Sequence, residues 1–226
     1  MLSHARNLQL SALLAPNPTP RFRAEARQFM ILTSILIGIG AAIIVASLFE
    51  WTLHRFVMHR PVGRFDYAFR AHAIVHHQIF KADATYHLKH EEDKHTIPMA
   101  WWNGPVLILC CMLPVLIAST ILGNWIVSLA ALPTFCAYYG FYEYMHWCMH
   151  LPKSRRLERS WLFRRLNGHH LLHHRYMHKN FNVVLPLADL ILGTLMLRSK
   201  VHFAQPTGPF IHDVQPKTGT PASVGS

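Results

Sequence analysis

Glu143–His150 has the sequence EYMHWCMH, and a basic linker separates it from Asn167–His178, which has the sequence NGHHLLHHRYMH. His146 and His150 are four residues apart, so both imidazoles lie on one face if the preceding apolar run continues as a helix. The second segment offers three imidazoles at positions i, i+3 and i+4: His170, His173 and His174. These three are predicted to converge on one point, which is how neutral imidazoles hold a transition metal.

A similar arrangement occurs earlier in the chain as a weak internal repeat. A two-histidine element precedes a three-histidine element, and the candidate ligands are His54, His59, His72, His76 and His77. Chance pairing is expected with 18 histidines among 226 residues, but it does not explain four clusters with helical spacing. Two ions that each take about six donors would share ten imidazoles and keep one or two positions open. Open positions favour chemistry over a purely structural role.

The spacing of the first pair raises a difficulty. His54 and His59 are five residues apart, which separates them by about 140° on an ideal helix. They therefore serve two different ions, or His59 lies beyond a helix end at Pro61–Gly63. Glu50 and Glu143 each precede a histidine pair, and each is either a partner that orients an imidazole or an ordinary interfacial carboxylate.

The remaining histidines fit the metal pattern less well. The run from His90 to His95, HEEDKH, lacks the four-residue spacing of the zinc-protease motif His-Glu-x-x-His. His87, His90 and His95 are accordingly expected in a solvated loop. His169 and His178 flank the helical triplet and are predicted to lie outside the ligand set.

Composition indicates a membrane protein. Hydrophobic residues make up 51% of the chain and charged residues 15%, and the net charge is +11 with histidine counted as neutral. The basic residues flank apolar runs, which favours a membrane surface over nucleic acid as the partner. The four cysteines form no Cys-x-x-Cys pair, and they are expected to be small residues of the core.

The predicted fold class is all-α: a small integral-membrane bundle of about three to four membrane helices with a cytosolic, histidine-rich helical cap. Residues 28–49, 99–122 and about 125–144 are the predicted spans, and Gly123-Asn124 joins the last two as a hairpin. The hairpin returns the chain to the side where the first histidines lie. Residues 183–197 are short for a span and are expected at the interface or over the site.

The chain divides into a polar mobile leader (1–27), a membrane domain (28–200) and a disordered tail (201–226). Lys and Arg number four in the leader and 18 in the rest of the chain. Because cytoplasmic segments carry the excess of positive residues, the metal site is predicted on the cytoplasmic face. The leader would then lie on the opposite side.

The ordered series EWTLHRFVMHR, HAIVHH, YEYMHWCMH and HHLLHHRYMHKNF, followed by ADLILGTL, resembles the membrane-bound histidine-box oxygenases of the fatty acid hydroxylase and sterol desaturase superfamily. The similarity covers roughly residues 50–197 and is closest to fatty acid 2-hydroxylases. It implies a centre of two iron ions bound by His54, His59, His72, His76, His77, His146, His150, His170, His173 and His174. One departure concerns His72, because three residues separate it from His76 where the hydroxylases have two.

The resemblance implies a membrane-bound oxygenase that uses O2 and external electrons to hydroxylate, or alternatively desaturate, a lipid or fatty acyl chain. The chain has no fused haem-carrying domain, so a separate electron-transfer protein is expected, and zinc could replace iron in the isolated protein. Basic residues in the range 155–165 are expected to contact lipid head groups. The alternatives are a metal-ion transporter, which would place its ligands near the bilayer midplane, and a zinc-stabilised membrane scaffold with closed metal sites.

Overall fold

Thr19 and Pro20 start the longest helix of the protein. In this computed structural model, which describes residues 19–197, the Thr19 side chain accepts a hydrogen bond from the Phe22 amide at 3.3 Å, and Pro20 occupies the first helical position. The helix therefore begins before Gln28, where the apolar run starts. Residues 1–18 of the predicted leader and the whole predicted tail, 201–226, lie outside the described residues.

The described residues form helices and turns, with one isolated β-bridge and no strand. The α-helices are α1 (Pro20–Leu53), α2 (Tyr67–Phe69), α3 (His77–Ile79), α4 (Asn103–Ile121), α5 (Trp125–His150), α6 (Trp161–Arg175) and α7 (Leu187–Ile191). Tighter or wider turns are a π-helix at His54–Met58, a second π-helix at Arg70–His76 and a 3₁₀-helix at Glu91–Thr96. The all-helical prediction is confirmed for this part of the chain.

Two of these helices are long and apolar enough to cross a membrane: α1 with its π-helical extension, and α4. Their outward faces carry large apolar side chains, such as Leu109 and Ile121, which are 69% and 78% exposed. Extended apolar surface of this kind is rare on a soluble monomer. The predicted hairpin is present, because Gly123 adopts a left-handed φ of +64° between α4 and α5.

Small residues let α1 pack closely against α5. Ser34, Gly38, Ala42 and Ala46 recur every four residues on the buried face of α1. A Cβ atom at Gly38 would stand 2.4 Å from the Val127 carbonyl oxygen, so the contact requires glycine. Asn124 donates a hydrogen bond to Ser34 Oγ at 2.9 Å.

Two contacts show that α1 and α5 run parallel. Ser34, midway along α1, meets Asn124 just before α5, and Tyr138, midway along α5, donates a hydrogen bond to Glu50 near the end of α1 at 2.7 Å. The histidines that follow α1 and those that end α5 therefore lie at the same end of the bundle.

Two smaller features refine the sequence predictions. Cys111 and Cys148 are buried as expected, whereas Cys110 and Cys136 lie on exposed helix faces. In the apolar segment after residue 183, the short helix α7 buries Asp189 and exposes Leu190 and Ile191. A helix with outward apolar side chains beside the histidines agrees with a segment that packs over the site.

Candidate metal centre

Ten imidazoles meet at this end of the bundle in two adjacent groups. The first histidine group consists of His54, His59, His72, His77 and His173. The second histidine group consists of His76, His146, His150, His170 and His174. Within each group the ligand atoms all lie within 4.8 Å of one another. All ten histidines that the sequence suggested as ligands fall into these two groups.

The membership of the groups corrects the interpretation of the sequence. His170, His173 and His174 do not converge on one point, because His173 joins the first histidine group and the other two join the second. His76 from the earlier half of the chain also joins the second group. Each half of the internal repeat thus contributes one histidine to the other group: His76 from the first half and His173 from the second. The repeat does not build one site per half.

Two π-helical turns explain how histidines five residues apart share a group. The amide of His59 donates a hydrogen bond to the His54 carbonyl, and the amide of His77 bonds the His72 carbonyl in the same way. In a π-turn the backbone hydrogen bond joins residues five apart instead of four. The two side chains therefore lie on the same face of the helix. Of the two alternatives for this pair, the structure agrees with the second, because His54 and His59 share one group and His59 stands just past the end of the π-helix. The extra residue between His72 and His76 is accommodated by the second π-turn.

Neighbouring Nε2 atoms are evenly spaced in both groups. In the first, the His54–His72 separation is 2.8 Å and the His77–His173 separation is 3.2 Å. In the second, His170 Nε2 lies 3.1 Å from His150 Nε2 and 3.0 Å from His174 Nε2. Two nitrogens bound to one ion stand about 3.0 Å apart at a right angle and about 3.4 Å apart at a tetrahedral angle. The observed separations run from slightly below the first value to midway between the two, so the five donors of each group are close enough to share one ion.

Backbone carbonyls fix the tautomer of the first histidine group. His54 Nδ1 lies 2.5 Å from the Phe181 carbonyl oxygen, and His173 Nδ1 lies 2.8 Å from that of Lys179. A carbonyl oxygen only accepts hydrogen bonds, so each Nδ1 carries the proton and each Nε2 presents a lone pair to the group.

The second histidine group is oriented in the same way by a different segment. His174 Nδ1 donates to the Phe80 carbonyl at 2.5 Å, His150 Nδ1 to the Tyr86 carbonyl at 2.8 Å, and His76 Nδ1 to the Thr96 carbonyl at 3.2 Å. All three acceptors lie in residues 80–96, between α3 and α4. This role could not be predicted from the sequence, because main-chain acceptors do not depend on side-chain identity.

Electrostatics keeps these imidazoles neutral. Burial lowers the pKa of His59 to about 4 and that of His173 to about 3, and burial together with repulsion by neighbouring histidines lowers the pKa of His174. Lone pairs held face to face in a buried space repel one another unless a cation lies between them. The donor set therefore fits a transition-metal ion in each group, and the two groups could hold metal ions.

The two glutamates do not contact the ligands. Glu50 is buried and accepts hydrogen bonds from the Val183 amide at 2.5 Å and from Tyr138. Glu143 lies 3.3 Å from the Met99 amide. Each carboxylate accepts a hydrogen bond from a main-chain amide near the histidines. Neither carboxylate therefore orients an imidazole directly.

Other histidines lie outside the groups. His169 is buried and lies 3.2 Å from Asp189 Oδ2, and His95 contacts the Glu92 carbonyl within the 3₁₀-helix. The histidines predicted outside the ligand set belong to neither group: His87, His90, His95, His169 and His178.

An internal cavity of 280 Å³ leads from both groups into the helix bundle. The histidines that line it are His72, from the first histidine group, and His76 and His146, from the second. Its other walls are mainly apolar and come from segments 57–71 and 96–102, with further side chains of α1, α4 and α5 such as Phe49, Leu107 and Tyr142. A smaller space of 60 Å³ shares several of these walls and reaches Ala46 and Phe135.

Comparison of the chain with protein-family models, with curated proteins and with solved structures finds no match in any of the three.

Proposed function

We propose that the protein is a membrane-bound oxygenase with two iron ions that hydroxylates a lipid or fatty acyl chain, using O2 and electrons from a separate carrier protein. The observation that carries this proposal is the apolar cavity that touches both histidine groups. An alkyl chain in that cavity would lie beside both metal positions. The ordered histidine series, which resembles the fatty acid hydroxylase and sterol desaturase superfamily, supports the same conclusion.

The number of donors favours this function over a zinc-stabilised scaffold. Structural zinc takes four ligands in a tetrahedral arrangement and leaves no free position. Each group here offers five histidines, one more than a closed tetrahedral site uses. Five such donors leave room for one more ligand, as catalysis requires.

The location of the groups favours an oxygenase over a transporter. Transporter ligands lie near the bilayer midplane on interrupted helices. Here the ligands follow the end of α1 and occupy the last turns of α5 and α6. Ligands at the helix ends are reached by a water-soluble electron carrier from one side and by a membrane lipid from the other.

In this proposal the imidazoles hold the ions, and the cavity walls bind the alkyl chain and exclude water. Bound iron would supply the reduction of O2. Hydroxylation places one oxygen atom in the C–H bond and releases the other as water, with two electrons from the substrate and two from the carrier. Desaturation of the same chain would use the same four electrons and release both oxygen atoms as water.

Labelled oxygen tests the proposal. Iron-loaded protein in lipid vesicles, supplied with a chemical reductant and heavy-oxygen O2, is expected to yield a lipid product with one labelled oxygen atom, measured by mass spectrometry. An unlabelled product that has lost two hydrogens would identify a desaturase. Oxygen-independent turnover, or metal transport across sealed vesicles without any change in lipid, would overturn the oxygenase.

We further propose that both groups face the cytoplasm, as the distribution of Lys and Arg favours. A cysteine placed at Ala82, in a variant without the four native cysteines, is expected to react with an impermeant thiol reagent only when the cytoplasmic side is accessible. Labelling from the opposite side would contradict this orientation.

A further inference from the structure

Residues 179–183 supply the two carbonyls that orient the first histidine group. The Lys179 carbonyl accepts from His173, and the Phe181 carbonyl accepts from His54. These two ligands come from opposite halves of the chain. The position of one short segment therefore sets the direction of two Nε2 atoms.

A single buried carboxylate fixes this segment. Asp189 Oδ1 accepts hydrogen bonds from the Phe181 amide at 2.9 Å and from the Thr194 hydroxyl at 2.6 Å. Asp189 Oδ2 accepts from the Asn182 amide at 2.8 Å and lies 3.2 Å from His169 Nε2. The side chain is 0% exposed. Four donors thus surround one carboxylate, and two of them are amides of the segment that bears the Phe181 carbonyl.

The network extends from Asp189 to α1. Thr194, which donates to Asp189, accepts a hydrogen bond from the Trp51 indole at 2.8 Å. Trp51 lies one turn before His54 on the same helix. The carboxylate is consequently linked to His54 through α1 as well as through the Phe181 carbonyl.

The link from Asp189 to the second histidine group is less direct, because it runs only through His169, the residue before His170 on α6. The carbonyls that accept from His174, His150 and His76, those of Phe80, Tyr86 and Thr96, lie in a different segment. The amides of Phe181 and Asn182, which Asp189 binds directly, belong to the segment of the first group alone. A change at Asp189 should therefore affect the two groups unequally.

We propose that Asp189 is a positioning residue for the first histidine group and determines how tightly that group binds its metal ion. This inference rests on the proposed function, because it requires that both groups bind metal. The carboxylate holds the Phe181 carbonyl against His54 and keeps the Lys179–Phe181 segment beside His173. Removal of its charge leaves the ligands present but less well aligned.

Asp189→Asn is the direct test. The amide has nearly the same size as the carboxylate but offers one acceptor oxygen and a donor NH2 group, so it cannot satisfy four surrounding donors. Loss of an orienting partner of a metal ligand lowers metal affinity by about ten- to hundredfold. We expect that loss at one of the two sites, measured as metal content during dialysis against a graded series of chelator concentrations.

Two further variants keep the test decisive. Thr194→Val removes one donor and the acceptor of Trp51, and it should weaken the same single site by a smaller factor if Asp189→Asn does not fold. Glu25→Gln changes an exposed carboxylate that pairs with Arg21 near the start of α1, far from the histidines, and it should keep both sites at wild-type affinity. Cobalt substitution, followed by visible absorption, reports whether one ligand environment changes while the other stays the same.

The outcomes separate this inference from the proposed function. Two sites of wild-type affinity in Asp189→Asn, or an equal loss at both sites, would overturn the positioning role while leaving the metal centre intact in wild type. Wild-type protein that binds no metal would instead overturn the proposed function itself. Selective loss at one site with an altered cobalt spectrum supports the inference.

Discussion

The first and second histidine groups present the same donors, yet the protein supports them by different means. Segment 179–183, which orients the first group, is held by buried polar side chains, chiefly Asp189 and Glu50. The segment of residues 80–96, which orients the second group, is anchored by apolar packing of Phe80 and Ile97 against Leu151. The first segment thus depends chiefly on buried hydrogen bonds, whereas the second combines apolar packing with hydrogen bonds such as that from Tyr86 to Asn167.

The groups also differ in their access to solvent. All five imidazoles of the second histidine group are buried, whereas His59 in the first group is only partly buried. His59 lines a surface groove of 430 Å³ together with Arg55, Arg60 and His178. The first group therefore has a polar opening in addition to the apolar cavity that it shares with the second.

The largest effect is expected when ligands are removed. His170→Ala with His174→Ala takes two of the five donors from the second histidine group and none from the first. The double variant should lose one of the two metal ions completely and retain the other, as measured by element analysis of the purified protein. Full metal content would show that the second group is not a metal site.

Replacing His173 and His174 together sharpens the comparison. These neighbours belong to different groups, so the double variant removes one donor from each. Both ions should then bind more weakly, and neither should be lost outright. Complete loss of a single ion would show that the two side chains serve one site, as the sequence alone suggests.

Apolar support of the second group is tested by Phe80→Ala. The Phe80 side chain is fully buried, and truncation of a buried phenylalanine costs about 3–5 kcal/mol. We expect lower thermal stability and weaker metal binding at the second group, because the Phe80 carbonyl orients His174. Phe56→Ala is the matched control, since Phe56 is 41% exposed and should change stability much less. Equal destabilisation by the two variants would contradict the role of packing.

Acid should destabilise the metal-free protein. In the unfolded chain histidine takes up a proton below a pH of about 6.5, whereas the pKa of His59 is about 4 and that of His173 about 3 in the folded state. The unfolded state therefore binds more protons, and the free energy of unfolding falls as the pH decreases from about 6.5 to about 4. Chemical denaturation at a series of pH values measures this. A flat profile would show that the imidazoles are not held neutral.

The sequence identifies the members of the two histidine groups better than it identifies how they are grouped. Histidine is conspicuous in composition and spacing, so all ten group members could be named before the fold was known. Their assignment to two groups depends on π-turns after Leu53 and around His72, where one extra residue changes the face of the helix. The partition of His170, His173 and His174 has another reason, because they lie on a regular α-helix. Positions i+3 and i+4 of such a helix point about 100° apart, so His173 and His174 face different groups.

The supporting structure was still harder to anticipate. Asp189 lies in an apolar segment as an isolated acidic residue, and its four donors are distant in sequence or belong to the main chain. The acceptor carbonyls of residues 80–96 carry no sequence signal. By contrast, the hairpin at Gly123 was predictable, because two apolar runs separated by two residues permit few other connections.

The smallest expected effect concerns the rate of metal exchange. Because His59 is partly exposed at the floor of a groove that also contains Arg55 and Arg60, an anionic chelator can approach the first histidine group from solvent. Metal should leave this group several-fold faster than it leaves the second, so that release follows two phases in a stopped-flow chelation experiment. Arg60→Glu should slow the fast phase by repelling the chelator and leave the slow phase unchanged. A single phase, or equal slowing of both phases, would mean that the groove does not give access to one site alone.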